Sequence, residues 1–137
     1  MQFHDDLHAL RPAVTMVTGN EVRVTRTVAL LDEHDVVVAI DLRRYDSWVV
    51  ESAKRAKDAG AKIVAVSDSL LSPLAVLADQ NLVIVAAGAG PFDSHVGTLA
   101  LCNLVVAGVA EQLRSSAADR LEKAEGAWRR ASVLIDR

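Results

Sequence analysis

A chain of 137 residues holds about one domain, long enough to hide roughly two-thirds of its unfolded surface and to stand without disulfides or metal. With 51% hydrophobic and 24% charged residues it is neither a disordered tail nor a membrane protein, and its net charge of −3 gives it no electrostatic footprint for DNA. The one cysteine, Cys102, cannot close an internal disulfide and points to a reducing compartment. Val and Ala are abundant while aromatics make up only 4%, the mix expected of buried parallel strands under closely packed helices.

The chain opens on Phe3 to Leu10, which reads as the last turns of a helix. The acidic start Met1-Gln-Phe-His-Asp-Asp6 lacks the basic residues and apolar run of a signal peptide. A weak strand follows at Ala13–Val17 and ends in the turn signal Thr18-Gly19-Asn20. Asn20 then caps a helix whose Val24, Val28 and Leu31 recur at i, i+4 and i+7. Asp35–Ile40, Lys62–Val66 and Leu82–Val85 are short continuous apolar runs, the pattern of strands covered on both faces. Between the first two, a helix starts after Asp46 or Ser47, buries Val49, Val50, Ala53 and Ala56, and stops at Gly60. Ser72-Pro73 pairs a capping hydroxyl with proline at the first helical position, opening a short helix that closes before Asp79.

Strand and helix alternating at this spacing imply right-handed crossovers and a parallel sheet. From Ser94 to about Leu113 the chain reads as one helix, apolar nearly all round and therefore expected to be buried on both sides. Its longest apolar stretch, Val96–Ala110, falls short of a membrane span and is interrupted by Thr98 and Asn103. A second helix from about Ala118 carries Leu121, Ala124, Trp128, Ala131 and Ile135 on a single seam. These two helices are expected to cover the sheet and to supply a self-association surface. A doubly wound sheet ordinarily begins with a strand and a glycine-rich turn, and neither precedes Phe3.

Ligands of an open parallel sheet bind beyond the carboxyl ends of its strands, so the candidate site lies in the three loops that follow them. The first, Asp41-Leu42-Arg43-Arg44-Tyr45-Asp46-Ser47, places two guanidinium groups before a helix start, where they can clamp a phosphate or carboxylate. The competing reading is an exposed turn in which Arg43 and Arg44 pair with Asp41 and Asp46. The second loop offers Ser67 and Ser69 as hydroxyl donors, with Asp68 either orienting them or starting the turn. Ser72 reads as a plain helix cap. The third, Gly88-Ala89-Gly90-Pro91-Phe92-Asp93-Ser94, has Asp93 where a dinucleotide fingerprint needs glycine, and reads as a flap with Ser94 as cap or ligand contact. His4 and His8 stand at i, i+4 without a third metal ligand, and His95 has no nucleophile or carboxylate dyad arranged with it. Cys102 and Asn103 read as core or interface residues.

These residues carry a resemblance. Asp35-Val-Val-Val-Ala-Ile-Asp-Leu-Arg-Arg-Tyr45, the run Ala59 to Asp79 with its Asp-Ser-x-x-Ser-Pro-Leu-Ala-x-x-Ala-Asp pattern, and Gly90-Pro-Phe-Asp-Ser94 with the apolar helix after it resemble the sugar isomerase (SIS) domain of RpiR-type transcriptional regulators. The resemblance covers about Leu10 to Arg130. It implies an α/β, parallel-sheet, three-layer (flavodoxin-like) domain with about four strands and two C-terminal helices, and one SIS domain over 1–137 that lacks the fold's first strand. It further implies a non-catalytic, cytoplasmic effector domain that binds a phosphorylated sugar or similar small anion and forms a homodimer. DNA would be reached only through an absent helix-turn-helix domain, and no cofactor, metal or membrane is involved.

Two departures bear on the site. The family's Gly-x-Gly-x-Ser loop is missing, and its Ser-x-Ser-x-x-Thr loop aligns with Asp41, Arg43 and Asp46, which removes those hydroxyls. The ligand-binding set expected is therefore Arg43, Arg44, Ser67, Ser69 and Ser94, with no catalytic residue. Alternatives are a shortened SIS module that only self-associates and a phosphosugar isomerase using His95. A phosphoacceptor receiver domain with Asp41 as acceptor lacks its acidic pair and its Lys-Pro.

Overall fold

The fold is that of a computed structural model, which describes residues 2–132. Residues Val17–Thr98 form one compact unit, and the residues before Val17 form a second with those from Leu99 onward.

In the Val17–Thr98 unit, helix α2 (Glu21–Ala29) is capped by Asn20, whose side chain accepts the Arg23 amide at 3.0 Å. Strand β1 (Val36–Ile40) leads to α3 (Ser47–Asp58), and β2 (Lys62–Ser67) leads through the capping Ser72 into the short α4 (Pro73–Leu77). Strand β3 (Gln80–Val83) completes a parallel sheet in the order β1-β2-β3, with Val36 opposite Lys62 and Val64 opposite Gln80. Gly60, at φ 102°, makes the left-handed turn between α3 and β2 that a side chain would strain.

The core lies on one face of this sheet. Val24 and Val28 of α2, Ala53 and Ala56 of α3 and Leu74 of α4 pack with Ala39, Ile63 and Ala65 of the strands. On the other face Val36, Val38 and Ile40 are exposed at alternate positions of β1.

Asp79 ties the entrance of β3 to the central strand. Its carboxylate accepts the Ile63 amide at 2.8 Å and its own amide donates to the Ile63 carbonyl at 2.9 Å. The Ile63 amide, with Lys57 and Lys62 nearby, holds the Asp79 carboxyl below the usual aspartate range. A carboxyl depressed on folding stabilises above its unfolded pKa, about 3.9, and that stabilisation is lost as pH falls through the folded value. The melting-temperature gap between wild type and Asp79→Ala is therefore expected to be constant above about pH 5 and to close in acid. Thermal unfolding across pH checks this, and a gap indifferent to pH refutes it.

Two expectations about the sheet change. Ala13–Val17 forms no strand among the described residues: Ala13, directly after Pro12, takes a φ of 58°, and the residues after it pair with no strand of the β1-β2-β3 sheet. Three strands result where about four were expected. Strand β3 also begins two residues earlier than the apolar run Leu82–Val85, since Asp79 fixes its register at Ile63 and the partner strand ends at Ser67.

In the second unit, α1 (Gln2–Leu10) ends against α5 (Val96–Ala131), where the Arg120 guanidinium donates to the His8 carbonyl at 2.7 Å and to the Ala9 carbonyl at 3.3 Å. These carbonyls have no acceptor role left in the last helical turn, so Arg120 supplies the cap. Helix α5 holds 36 residues and is broken at Arg114, with φ 32° and ψ −98°, which separates the two helices read from the sequence. Its first part is not buried all round: Cys102 is the buried residue there, while Val96, Leu99 and Leu104 are exposed, and Ala117 is buried beyond the break. Asn103 is exposed as well and makes no buried hydrogen bond among the described residues. Helix α5 is also long and apolar enough to cross a bilayer by length and composition, contrary to the reading of Val96–Ala110 alone. On the expected seam, Leu121 and Trp128 are exposed, and Ile135 lies outside the described residues.

Candidate functional site

The carboxyl ends of the strands open into three loops tied together by two carboxylates, Asp68 and Asp93. After β1 the chain turns at Asp41, a buried residue whose amide donates to the Val66 carbonyl at 3.0 Å. Its carboxylate accepts the Asp46 amide at 2.8 Å, which closes the loop onto the start of α3. Burial pushes the Asp41 carboxyl up, against the opposing pull of the Asp46 amide. Asp46 occupies the N-cap of α3, yet its side chain makes no capping bond.

Within this loop Arg43 adopts the left-handed conformation, φ 56°, which is uncommon outside glycine and asparagine. The conformation is held from the loop after β2: the Arg43 amide donates to Asp68 Oδ1 at 3.0 Å, and the Tyr45 hydroxyl donates to the same oxygen at 3.0 Å. Asp68 thus braces the first loop against the second. The Arg43 amide, ahead of the Tyr45 hydroxyl, keeps the Asp68 carboxyl below its ordinary value, while burial and then Asp68 push the Tyr45 phenol up.

Aimed by this backbone, the Arg43 guanidinium reaches the third loop and meets Asp93 Oδ1 at 2.8 Å. That loop has pinned ends, since the Ser94 amide donates to the Ala86 carbonyl at 2.8 Å. Gly88 lies so close to the Phe92 carbonyl that a Cβ there would sit 2.7 Å from it, which is why glycine is needed at this position.

The expected residues therefore separate. Arg43 bridges the loops but pairs with Asp93, so the alternative turn reading with Asp41 and Asp46 as partners does not hold for it. Arg44 is exposed and has no ion pair or hydrogen bond among the described residues. Ser67 is buried with its hydroxyl unpartnered. Ser69 Oγ accepts the Leu71 amide at 3.1 Å and Ser94 Oγ the Val96 amide at 3.4 Å, which leaves each hydroxyl hydrogen to donate. Ser72 is the plain cap expected, accepting the Ala75 amide at 3.0 Å. Tyr45 and Asp93 were not singled out as site residues from the sequence. Both lie in the two segments that carry the family resemblance, the Arg-Arg-Tyr and Pro-Phe-Asp-Ser runs, and that was the available signal.

A separate open groove of about 430 Å³ lies along α2 and α3, bordered by Trp48, Arg55, Glu21 and Glu51. Its two carboxylates make it a poor anion site. Among the described residues no three metal-ligating side chains gather; the rings of His4 and His8 stack at 5.9 Å instead.

The comparisons agree with this architecture. The SIS domain family model matches residues 8–108. The SIS domain of an RpiR transcription factor from Sphaerobacter thermophilus superposes with a TM-score of 0.85 at 29% identity, over 90% of this chain and 69% of that one. NanR of Vibrio vulnificus, solved with ManNAc-6P, superposes with a TM-score of 0.80 at 16% identity, over 98% of this chain but only 51% of NanR. No curated protein matches the sequence. Its parallel sheet superposes on an RpiR relative, and with the family model spanning most of its length this chain belongs to the SIS domain family.

Proposed function

We propose that this chain is the effector-sensing part of a transcriptional regulator, binding a phosphorylated sugar or similar small anion without catalysis. The observation that carries the reading is Arg43. Its guanidinium is delivered by a braced, left-handed backbone to the carboxyl ends of the strands, where it already holds a carboxylate. Arg44, the unpartnered hydroxyl of Ser67, and Ser69 and Ser94 complete the ligand set in this reading. The NanR structure with ManNAc-6P supports a phosphosugar as the ligand class. The RpiR-type relative supports a regulatory setting, in which a chain of net charge −3 contributes sensing rather than DNA contact.

A homodimer fits the apolar residues Leu99 and Leu104 left exposed on α5. A cytoplasmic location without membrane contact is supported by the family match, which runs through residue 108 and so takes in the apolar part of α5. An isomerase would need a positioned base beside the bound sugar, and His95 is exposed with no hydrogen-bond or ion-pair partner among the described residues.

The test is thermal unfolding against a panel of sugar phosphates, with the neutral sugars and inorganic phosphate as controls. A true ligand at about 100 times its dissociation constant adds roughly 2.7 kcal/mol, a shift that is easily read. A selective shift is expected. Its absence from a cooperative transition, or turnover of any sugar phosphate, overturns the reading.

A further inference from the structure

Arg43 and Asp93 belong to different loops, and nothing in the local fold requires them to meet. The first loop is closed by the Asp41–Asp46 bond and braced through Asp68 to Arg43 and Tyr45. The third loop is closed by the Ser94–Ala86 bond and the tight approach of Gly88 to Phe92. Each loop therefore has closing bonds of its own, to which a link between them adds. The guanidinium–carboxylate contact at 2.8 Å is such an added link across the mouth of the crevice.

The chemistry of that link is that of an anion site already filled. A carboxylate offers a guanidinium the same acceptor oxygens as a phosphate does. Asp93 is tethered at high local concentration, but it is one carboxylate on a half-exposed arginine, and such pairs are weak. A dianionic phosphate can displace it. Four carboxylates in the surrounding segments, Asp41, Asp46, Asp68 and Asp93, stand against Arg43 and Arg44, and of these the one on the guanidinium of Arg43 is Asp93.

We infer that Asp93 is an internal stand-in for the ligand's anionic group: it latches the Gly88–Ser94 loop to Arg43 in the unliganded protein and is displaced when a phosphorylated ligand binds. The inference rests on the phosphosugar reading above. It makes Asp93 a tuning residue, setting the affinity threshold of the sensor, and makes ligand binding change the tether of the loop that leads directly into α5 at Val96.

The experiment compares wild type, Asp93→Asn, Arg43→Ala and the double variant. Binding of glucose 6-phosphate and ManNAc-6P is measured by calorimetry, and exchange of the Ser94 amide is followed without ligand. Asparagine keeps the shape of Asp93 and removes its charge. Asp93→Asn is expected to tighten phosphosugar binding about two- to fivefold, the range within which an exposed ion pair acts, and to speed Ser94 exchange by a similar factor. In the Arg43→Ala background the same change is expected to do neither. A tightening that survives in that background marks a general relief of negative charge and overturns the latch. Unchanged affinity and exchange in Asp93→Asn, with wild type binding normally, overturns the latch and leaves the functional reading standing. No binding of either ligand to wild type or to Asp93→Asn overturns the reading and the latch together.

Discussion

Replacing Arg43 and Arg44 together by alanine is expected to abolish the selective response to sugar phosphates while leaving a cooperative unfolding transition. A hydrogen bond to a charged partner contributes about 1.5–3 kcal/mol, so Arg43→Ala alone should weaken binding roughly 10- to 100-fold. The fold should survive, because both guanidinium groups are exposed and the one ion pair lost, with Asp93, is of the exposed kind that contributes little. The local backbone is set elsewhere, by the Arg43 amide on Asp68, and alanine retains that amide. Lysine at 43 should rescue only part of the affinity, since a point charge cannot offer a planar pair of donors. Calorimetry on Arg43→Ala, Arg43→Lys and the double variant reads each step. Wild-type affinity in the double variant would remove Arg43 from the site.

The largest effect on stability is expected at Ile63. Its side chain is fully buried in the central strand, among Val24, Val28, Ala53, Ala56 and Leu74, and its backbone is held by Asp79. Truncation to alanine leaves a cavity that α2, α3 and α4 cannot close without leaving the sheet, and such losses run about 2–5 kcal/mol. Against the 5–15 kcal/mol that holds a typical domain, that is a large share. Urea unfolding should show a lower midpoint with little change in slope. A loss below about 1 kcal/mol would mean that the site relaxes or that Ile63 is not in the core as described.

The local elements were legible because their signals are short-range. Asn20 before Glu21, Ser72 before Pro73 and Gly60 after α3 act through backbone groups within a few residues, and all three function as read. The continuous apolar runs of β1 and β2 likewise announced a parallel sheet. Reading failed where a distant partner decides. The composition of Ala13–Val17 suits a strand, but among the described residues no strand of the β1-β2-β3 sheet pairs with it, and propensity does not see whether a partner is there. The apolar residues of α5 pointed to burial, whereas Val96, Leu99 and Leu104 remain exposed, since hydropathy reports what a surface prefers and not what covers it.

The site divides in the same way. That the loops after β1, β2 and β3 lie at the carboxyl ends of the strands, with Arg43 and Arg44 in the first of them, follows from strand order, which the sequence alone determines. That Arg43 is set at φ 56° by Asp68, that Tyr45 shares that carboxylate, and that the guanidinium goes to Asp93 and not to its neighbours Asp41 and Asp46, only the tertiary structure decided. The reason is physical: Asp41 is turned inward to the Asp46 amide, so the nearest acid in sequence is already satisfied. The acid that meets Arg43 lies fifty residues away, on a loop that only the pairing of β2 with β3 brings beside it.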